Sequence, residues 1–136
     1  MPHDMVTQTL TGTVAAAVDA RFAARLEYRA ADPFAVRMVF EAGCTAERTP
    51  TTWTFARHLL LDGLLTWAGR GDVRVRPHGR DRTALELRTR GDCTVLLVRT
   101  AEIRSFLAAS QRIVPPGTEG RMIDWTRELA ELTRDG

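Results

Sequence analysis

Apolar and polar residues alternate along most of the first half of the chain, which is the pattern of half-buried β-strands. Leu26 and Tyr28, for example, alternate with Arg25 and Glu27. Pro33 marks a turn before the third such segment, because proline disfavours helical geometry in the residue that precedes it. The pattern therefore predicts four strands, at residues 7–20, 22–28, 36–43 and 51–55.

A helical pattern follows the fourth strand directly, over residues 56–67. Leu60, Leu64 and Trp67 keep the spacing of one helix face, and Gly63 inside this segment costs a helix about 1 kcal/mol relative to alanine. Pro77 is expected to end the next strand, because it has no backbone N–H to donate. Alternation then predicts a meander of three strands, at residues 73–76, 85–88 and 94–100.

The C-terminal part is predicted to contain two helices, one over residues 101–112 with Thr100 as its N-cap and one starting at Asp124. The order of four strands, one helix, three strands and two helices predicts an α+β fold with about seven mostly antiparallel strands. Local patterns do not reveal how the two strand groups pair. We expect a single domain over residues 1–136, with residues 1–6 frayed.

Composition and charge are those of an ordinary globular domain, with 44% hydrophobic residues, 26% charged residues and a net charge of +2. All basic residues are arginine, and asparagine is absent, which indicates a GC-rich bacterial genome. Cys44 and Cys93 have no CxxC partner and are expected to be buried and reduced. No secretory leader or membrane-length apolar stretch is present, so we expect a cytoplasmic protein.

Motifs of catalysis and metal binding are missing. A P-loop needs a lysine, and the chain has none. His58 and Asp62 have the spacing of a surface pair on one helix, and Ser105 and Ser110 lie on a helix predicted to pack. The other histidines, His3 and His78, form no cluster with His58. We therefore predict no enzymatic activity, no catalytic residue, no cofactor and no metal.

One group of residues suggests an interaction surface, the outward positions of the predicted meander. It consists of Arg74, Arg76, Arg88 and Arg90. A basic sheet face suits single-stranded nucleic acid when aromatic rings interleave to stack on the bases, and this stretch has none. A protein-binding or solvated face is favoured over nucleic acid, which remains the alternative. The three tryptophans, Trp53, Trp67 and Trp125, are expected in the core.

Four blocks of the sequence resemble the SsgA-like family of sporulation and cell-division regulators of actinomycetes, and together they cover most of the chain from Leu26 to Leu132. They are Leu26-Glu27-Tyr28 with Asp32-Pro33-Phe34-Ala35-Val36; Trp53-Thr54-Phe55-Ala56-Arg57 continuing to Asp62-Gly63-Leu64; Gly71-Asp72-Val73-Arg74-Val75-Arg76-Pro77; and Phe106-Leu107 with Val114-Pro115-Pro116-Gly117-Thr118-Glu119.

The resemblance implies a sheet-based fold akin to the Whirly-like fold of certain single-strand-binding proteins, assembled as a homotrimer without enzymatic activity. It also implies a role in sporulation-specific division, by placing the tubulin-like GTPase FtsZ at future septa or by affecting septal peptidoglycan processing. The expected partners are FtsZ, other SsgA-like proteins or wall-synthesis proteins, and the expected location is the division septum. The family supplies no catalytic residues to transfer.

Overall fold

Seven strands form one antiparallel sheet in the structure, a computed structural model that describes residues 4–15, 20–40, 52–89 and 91–122. The strands are β1 (Met5–Val14), β2 (Arg21–Arg29), β3 (Asp32–Phe40), β4 (Thr52–Ala56), β5 (Val73–His78), β6 (Arg82–Thr89) and β7 (Asp92–Arg99). Helix α1 (Arg57–Gly63) follows β4, helix α2 (Thr100–Ile113) follows β7, and a 3₁₀ turn spans Glu119–Met122. The predicted α+β class and the succession of four strands, a helix and three strands are confirmed.

The two strand groups meet through the first and last strands, since the order across the sheet is β4-β3-β2-β1-β7-β6-β5. Gly12 pairs with Val98 at this junction. A Cβ atom at Gly12 would collide with the carbonyl oxygen of Leu97, so glycine permits the close approach of β1 and β7. The alternation of apolar and polar residues within each strand does not reveal a pairing between strands so far apart in sequence, so this contact could not be predicted.

Both helices lie on one side of the sheet, which we call the inner face. Leu10, Leu26 and Val98 point to this side and form a single core with Ile103 and Phe106 of α2. Helix α1 contacts both β3 and β5, which belong to opposite ends of the sheet. The sheet must therefore curl around the core to bring its two ends to one helix.

Gly63 explains why α1 is shorter than the predicted segment 56–67. The helix ends at Gly63, where an added Cβ would collide with the side chain of Val75 on β5. The chain then runs beside β5, with Ala68 paired to Val75 through two backbone hydrogen bonds of 2.8 and 2.9 Å. A glycine that weakens the helix thus allows it to pack against the edge of the sheet.

Several other boundaries differ from those predicted; β3, for example, begins at Asp32, so that Pro33 lies within the strand rather than in a turn before it. Pro77 lies within β5 rather than ending it, because β5 is an edge strand and the missing donor faces away from β6. Thr100 is the first residue of α2 and not its N-cap, which is Arg99. The hydroxyl of Thr100 is instead buried and forms a hydrogen bond of 2.8 Å with the hydroxyl of Thr83. Strand β1 begins at Met5, inside the segment for which we expected fraying.

The predicted helix from Asp124 onwards lies outside the described residues. The kinship to the Whirly-like fold remains a prediction.

Candidate functional site

A buried arginine forms the most connected polar site in the described part of the chain. Arg57 is only 2% exposed, although it is the first residue of α1 and follows a strand directly. One terminal nitrogen donates to the carbonyl oxygen of Val114 at 2.8 Å, and the other donates to Glu119 at 2.9 Å. The guanidinium also lies 4.7 Å from the centre of the Tyr28 ring. Such a group is stable in the interior only because its charge and its donors are satisfied.

The same arginine shapes the chain after α2. It also reaches the carbonyl oxygen of Ser110, at 3.3 Å, in the last turn of that helix. Glu119 in turn accepts from the backbone N–H of Gly117, at 2.7 Å, which closes the turn after the two prolines. Gly117 has a φ of 89°, a conformation that favours glycine. Arg57 and Glu119 thus hold the turn against the sheet.

Three of the four blocks that resemble the SsgA-like family converge on this site. Tyr28 comes from the first block, and its hydroxyl donates to the carbonyl oxygen of Pro33, at 2.9 Å, in the same block. Arg57 comes from the second block, and Val114 and Glu119 come from the fourth. The three blocks therefore contribute residues to one set of contacts, which we call the joint, between the sheet, α1 and the end of α2. These contacts cannot be recognised from the sequence, because the blocks are far apart along the chain.

Burial raises the pKa of the Tyr28 phenol above its ordinary value. The positive charge of Arg57 acts in the opposite direction, and the carboxylates of Glu119 and Asp32 add to the increase. Tyr28 therefore remains a neutral hydrogen-bond donor over the physiological range.

The surface above the joint carries an exposed aromatic side chain. Phe34 is 51% exposed and borders a small cavity of about 70 Å³. Leu61, His58 and Glu119 also line this cavity. The remaining exposed large apolar side chains of the described residues are Leu65 and Trp67, in the segment between α1 and β5.

The predicted basic strip lies on the side of the sheet opposite the helices, which we call the outer face. Arg74 on β5 lies directly opposite Glu86 on β6, and Arg76 lies opposite Ala84, two residues before Glu86. Arg88 lies two residues after Glu86 on β6. Glu86 is 7% exposed, and its carboxylate is 3.7 Å from Arg88 and 4.0 Å from Arg76. Arg90 lies outside the described residues. The structure therefore brings three of the four predicted arginines together around the carboxylate of Glu86, one of the few acidic residues in this stretch of sequence.

Sequence reasoning missed the other half of this surface. The β1–β7 junction extends the outer face to β2 and β3, where Glu27 is 3.0 Å from Arg25 and 3.8 Å from Arg37. We define the outer arginine face as the arginines that strand register places on this side of the sheet: Arg21, Arg25, Arg29, Arg37, Arg74, Arg76, Arg82, Arg88 and Arg99. Alternation in β2 was the available signal, but only the pairing of β1 with β7 shows that the two groups share a face.

Trp67 corrects the prediction that all three tryptophans are core residues. Its ring is 52% exposed, and the guanidinium of Arg76 lies 5.0 Å from the ring centre. Trp53 is buried, as expected, and Trp125 lies outside the described residues. The chain after α1 runs back beside β5. The Trp67 ring therefore lies next to Arg76 at the end of the basic strip, although the sequence of the strip itself contains no aromatic residue.

Within the described ranges, the remaining candidate side chains form no chemical centre. His58 and Asp62 make the expected exposed pair on α1, 3.2 Å apart. Cys93 is exposed rather than buried, since it lies at the start of β7, just after the turn at Gly91. Among the described residues, no group of three histidine, cysteine or acidic side chains could hold a metal ion. Cys44 and His3 are outside the described ranges.

The fold and its surfaces define a small α+β domain with a curled antiparallel sheet, one arginine-rich face and a few exposed apolar side chains. Residues 22–119 match the model of the SsgA family, described as Streptomyces sporulation and cell division protein. The chain belongs to this family.

Relatives and solved structures agree with the assignment. The chain is 40% identical over 112 residues to the sporulation-specific cell division protein SsgB of Streptomyces coelicolor, an alignment that covers 80% of each chain. It is 39% identical over 114 residues to SsgB of Kineococcus radiotolerans, covering 80% of this chain and 67% of that protein.

Its structure resembles the crystal structure of an SsgA-like sporulation-specific cell division protein from Thermobifida fusca. The TM-score is 0.79 at 29% identity, and the match covers 96% of this chain and 97% of the other. A second solved structure comes from work on SsgB mutations that correlate with longitudinal cell division during sporulation of Streptomyces coelicolor. It gives a TM-score of 0.74 at 36% identity, covering 87% of this chain and 94% of the other.

None of the helices in the described residues has both the length and the apolar character needed to cross a membrane.

Proposed function

We propose that this protein is a non-enzymatic regulator of sporulation-specific cell division and that it acts by binding other proteins at the septum. The observation that carries the proposal is the family membership over residues 22–119, together with relatives named as sporulation-specific cell division proteins. The partner is either FtsZ, whose ring the protein would place, or a component of septal peptidoglycan processing.

The described surface supports action by binding. Phe34, Leu65 and Trp67 are large apolar side chains that the fold leaves at least half exposed, and exposed aromatic groups are frequent anchors of protein interfaces. Arginine is likewise enriched at interfaces. A homotrimer would present each of these surfaces three times, so that weak individual contacts reach useful strength through avidity.

The proposal is tested by purifying a tagged protein from sporulating cells and identifying what accompanies it. Recovery of FtsZ, another SsgA-like protein or a wall-synthesis protein supports the proposal, and light scattering on the purified protein measures whether it is a trimer. Recovery of nucleic acid without any division or wall protein would contradict it.

Binding of single-stranded nucleic acid is the alternative function, through Arg74, Arg76, Arg88 and Arg90. Trp67 is the one observation that favours it, because it adds an exposed ring beside Arg76. Stacking proteins bind successive bases on several rings, however, and Glu86 places a negative charge within the strip. A mobility-shift assay with labelled oligonucleotides at moderate salt decides between the two.

A further inference from the structure

The outer arginine face is a continuous surface that carries more positive charge than the chain as a whole. Its nine arginines stand against three carboxylates, those of Glu27, Asp32 and Glu86, whereas the whole chain has a net charge of only +2. In the described part of the chain, no helix covers this side of the sheet, because the buried residues of α1 and α2 belong to the core on the inner face.

Two of the three carboxylates lie within ion-pair distance of arginines, and the shortest of these contacts, between Arg25 and Glu27, is a hydrogen bond. Glu27 lies between Arg25 and Arg37, and Glu86 lies between Arg76 and Arg88. Each glutamate is only 7% exposed, so its charge acts on its neighbours with little screening by water. Guanidinium groups that are already ordered lose less conformational entropy when they bind a ligand.

Five arginines of this face form no ion pair with another described residue: Arg21, Arg29, Arg74, Arg82 and Arg99. Arg21 on β2 and Arg74 on β5 lie toward opposite ends of the face. The Nε atom of Arg74 is buried without a hydrogen-bond partner, although Arg74 lies directly opposite Glu86 in the register. A partly buried guanidinium without a partner gains more binding free energy from an incoming carboxylate than a fully exposed guanidinium does.

The centre of the face is apolar. One register row crosses five strands in the order Arg76, Ala84, Leu97, Thr13 and Arg21. Leu97 and its neighbour Val95 are half-buried on this side. An apolar centre with charged residues around it is the usual layout of a protein interface. Neighbouring strands lie about 4.8 Å apart, so the row is about 19 Å long, which is the length of about six residues of extended chain.

We infer that the outer arginine face docks an acidic segment of a protein partner. The segment lies across the strands, with carboxylates at both ends and apolar side chains over Leu97 and Val95. This inference rests on the proposed function, since it names the surface and the chemistry of the partner for that same activity. Charge complementarity selects the partner, and the low number of exposed rings disfavours nucleic acid.

The test uses a fluorescein-labelled octapeptide with two glutamates at each end of four central alanine and leucine residues, so that its inner glutamates are about 17 Å apart in an extended chain. Fluorescence anisotropy measures its binding to the full chain. The double variant Arg21→Gln with Arg74→Gln is expected to bind about tenfold more weakly, since each lost charge pair accounts for a factor of a few. These two arginines have no ion pair to lose, so thermal unfolding of the variant should match that of the wild type.

The matched control is the double variant Arg104→Gln with Arg112→Gln, which changes the net charge equally but on exposed positions of α2. It is expected to bind the peptide as the wild type does. Equal weakening by both double variants would overturn the inference, because net charge alone would then explain binding. Failure of the wild type to bind the peptide, or tighter binding of a single-stranded oligothymidylate of the same charge at the same salt, would overturn it as well.

Failure of this inference is distinguishable from failure of the proposed function. If deletion of the gene impairs sporulation septation but the peptide does not bind, only the docking face is wrong. If the peptide binds but deletion leaves septation unchanged, the proposed function is wrong, and the face binds an acidic partner in another process.

Discussion

Replacing Arg57 with methionine tests whether the buried arginine holds the sheet, α1 and the end of α2 together. Methionine keeps much of the length of the side chain but removes the charge and all its donors. The carbonyl oxygen of Val114 then loses a 2.8 Å hydrogen bond, and Glu119 loses its 2.9 Å ion pair. Hydrogen bonds to charged groups contribute about 1.5–3 kcal/mol each, and breaking a buried ion pair costs about 3–5 kcal/mol.

Two effects reduce this loss. Methionine needs no desolvation, and Glu119 is 17% exposed and keeps its hydrogen bond from Gly117. We therefore expect the Arg57→Met variant to lose about 3 kcal/mol of unfolding free energy. With a urea m-value of about 2 kcal/mol per molar, the unfolding midpoint falls by roughly 1.5 M.

Urea unfolding followed by tryptophan fluorescence measures the effect. Arg57→Lys should lose less, because it keeps the charge but cannot reach both partners with a planar fork. Arg104→Met, on the exposed side of α2, is the control and should change the free energy by less than about 0.5 kcal/mol. A loss below about 1 kcal/mol for Arg57→Met would refute the reasoning, since the buried network would then contribute no more than a surface contact.

Two further predictions concern the packing of α1 and the state of the phenol. Gly63→Ala is expected to destabilise the protein by about 1–3 kcal/mol in urea unfolding, because its Cβ would enter the space of the Val75 side chain. Gly71→Ala, which meets nothing within 4 Å, should be close to neutral, and an equal loss for both would contradict the packing argument. Since the folded pKa of Tyr28 is raised, the folded state binds its proton more tightly, and stability should fall as pH rises above about 10. Tyr28 is the single tyrosine, so phenolate absorbance reports it alone, and ionisation at the ordinary pKa in the folded protein would contradict this prediction.

The local sequence predicted the elements that depend on neighbouring residues. Alternation identified all seven strands and the α+β class, since one face of each strand packs on the core. It could not predict the β1–β7 junction, because Gly12 and Val98 meet only through the folded chain. The ends of helices and strands were misjudged where tertiary contacts decide them, as at Gly63 and Pro77.

The candidate surfaces were predictable to a smaller extent. Arg74, Arg76 and Arg88 were identified from alternation within one meander. Trp67 was assigned to the core because its spacing continues a helix that in fact ends at Gly63. The burial of Arg57 could not be predicted from the residues around it. Its partners Val114 and Glu119 are more than fifty residues away in the sequence.

The central claim, that this protein acts in sporulation septation, is tested most directly by deleting its gene in the organism that encodes it. Septa are then counted by fluorescence microscopy in sporulating cells of the parent, the deletion strain and the deletion strain complemented with the wild-type gene. The account predicts fewer or misplaced septa in the deletion strain and their restoration by the complementing gene. Normal septa and normal spores in the deletion strain would contradict it.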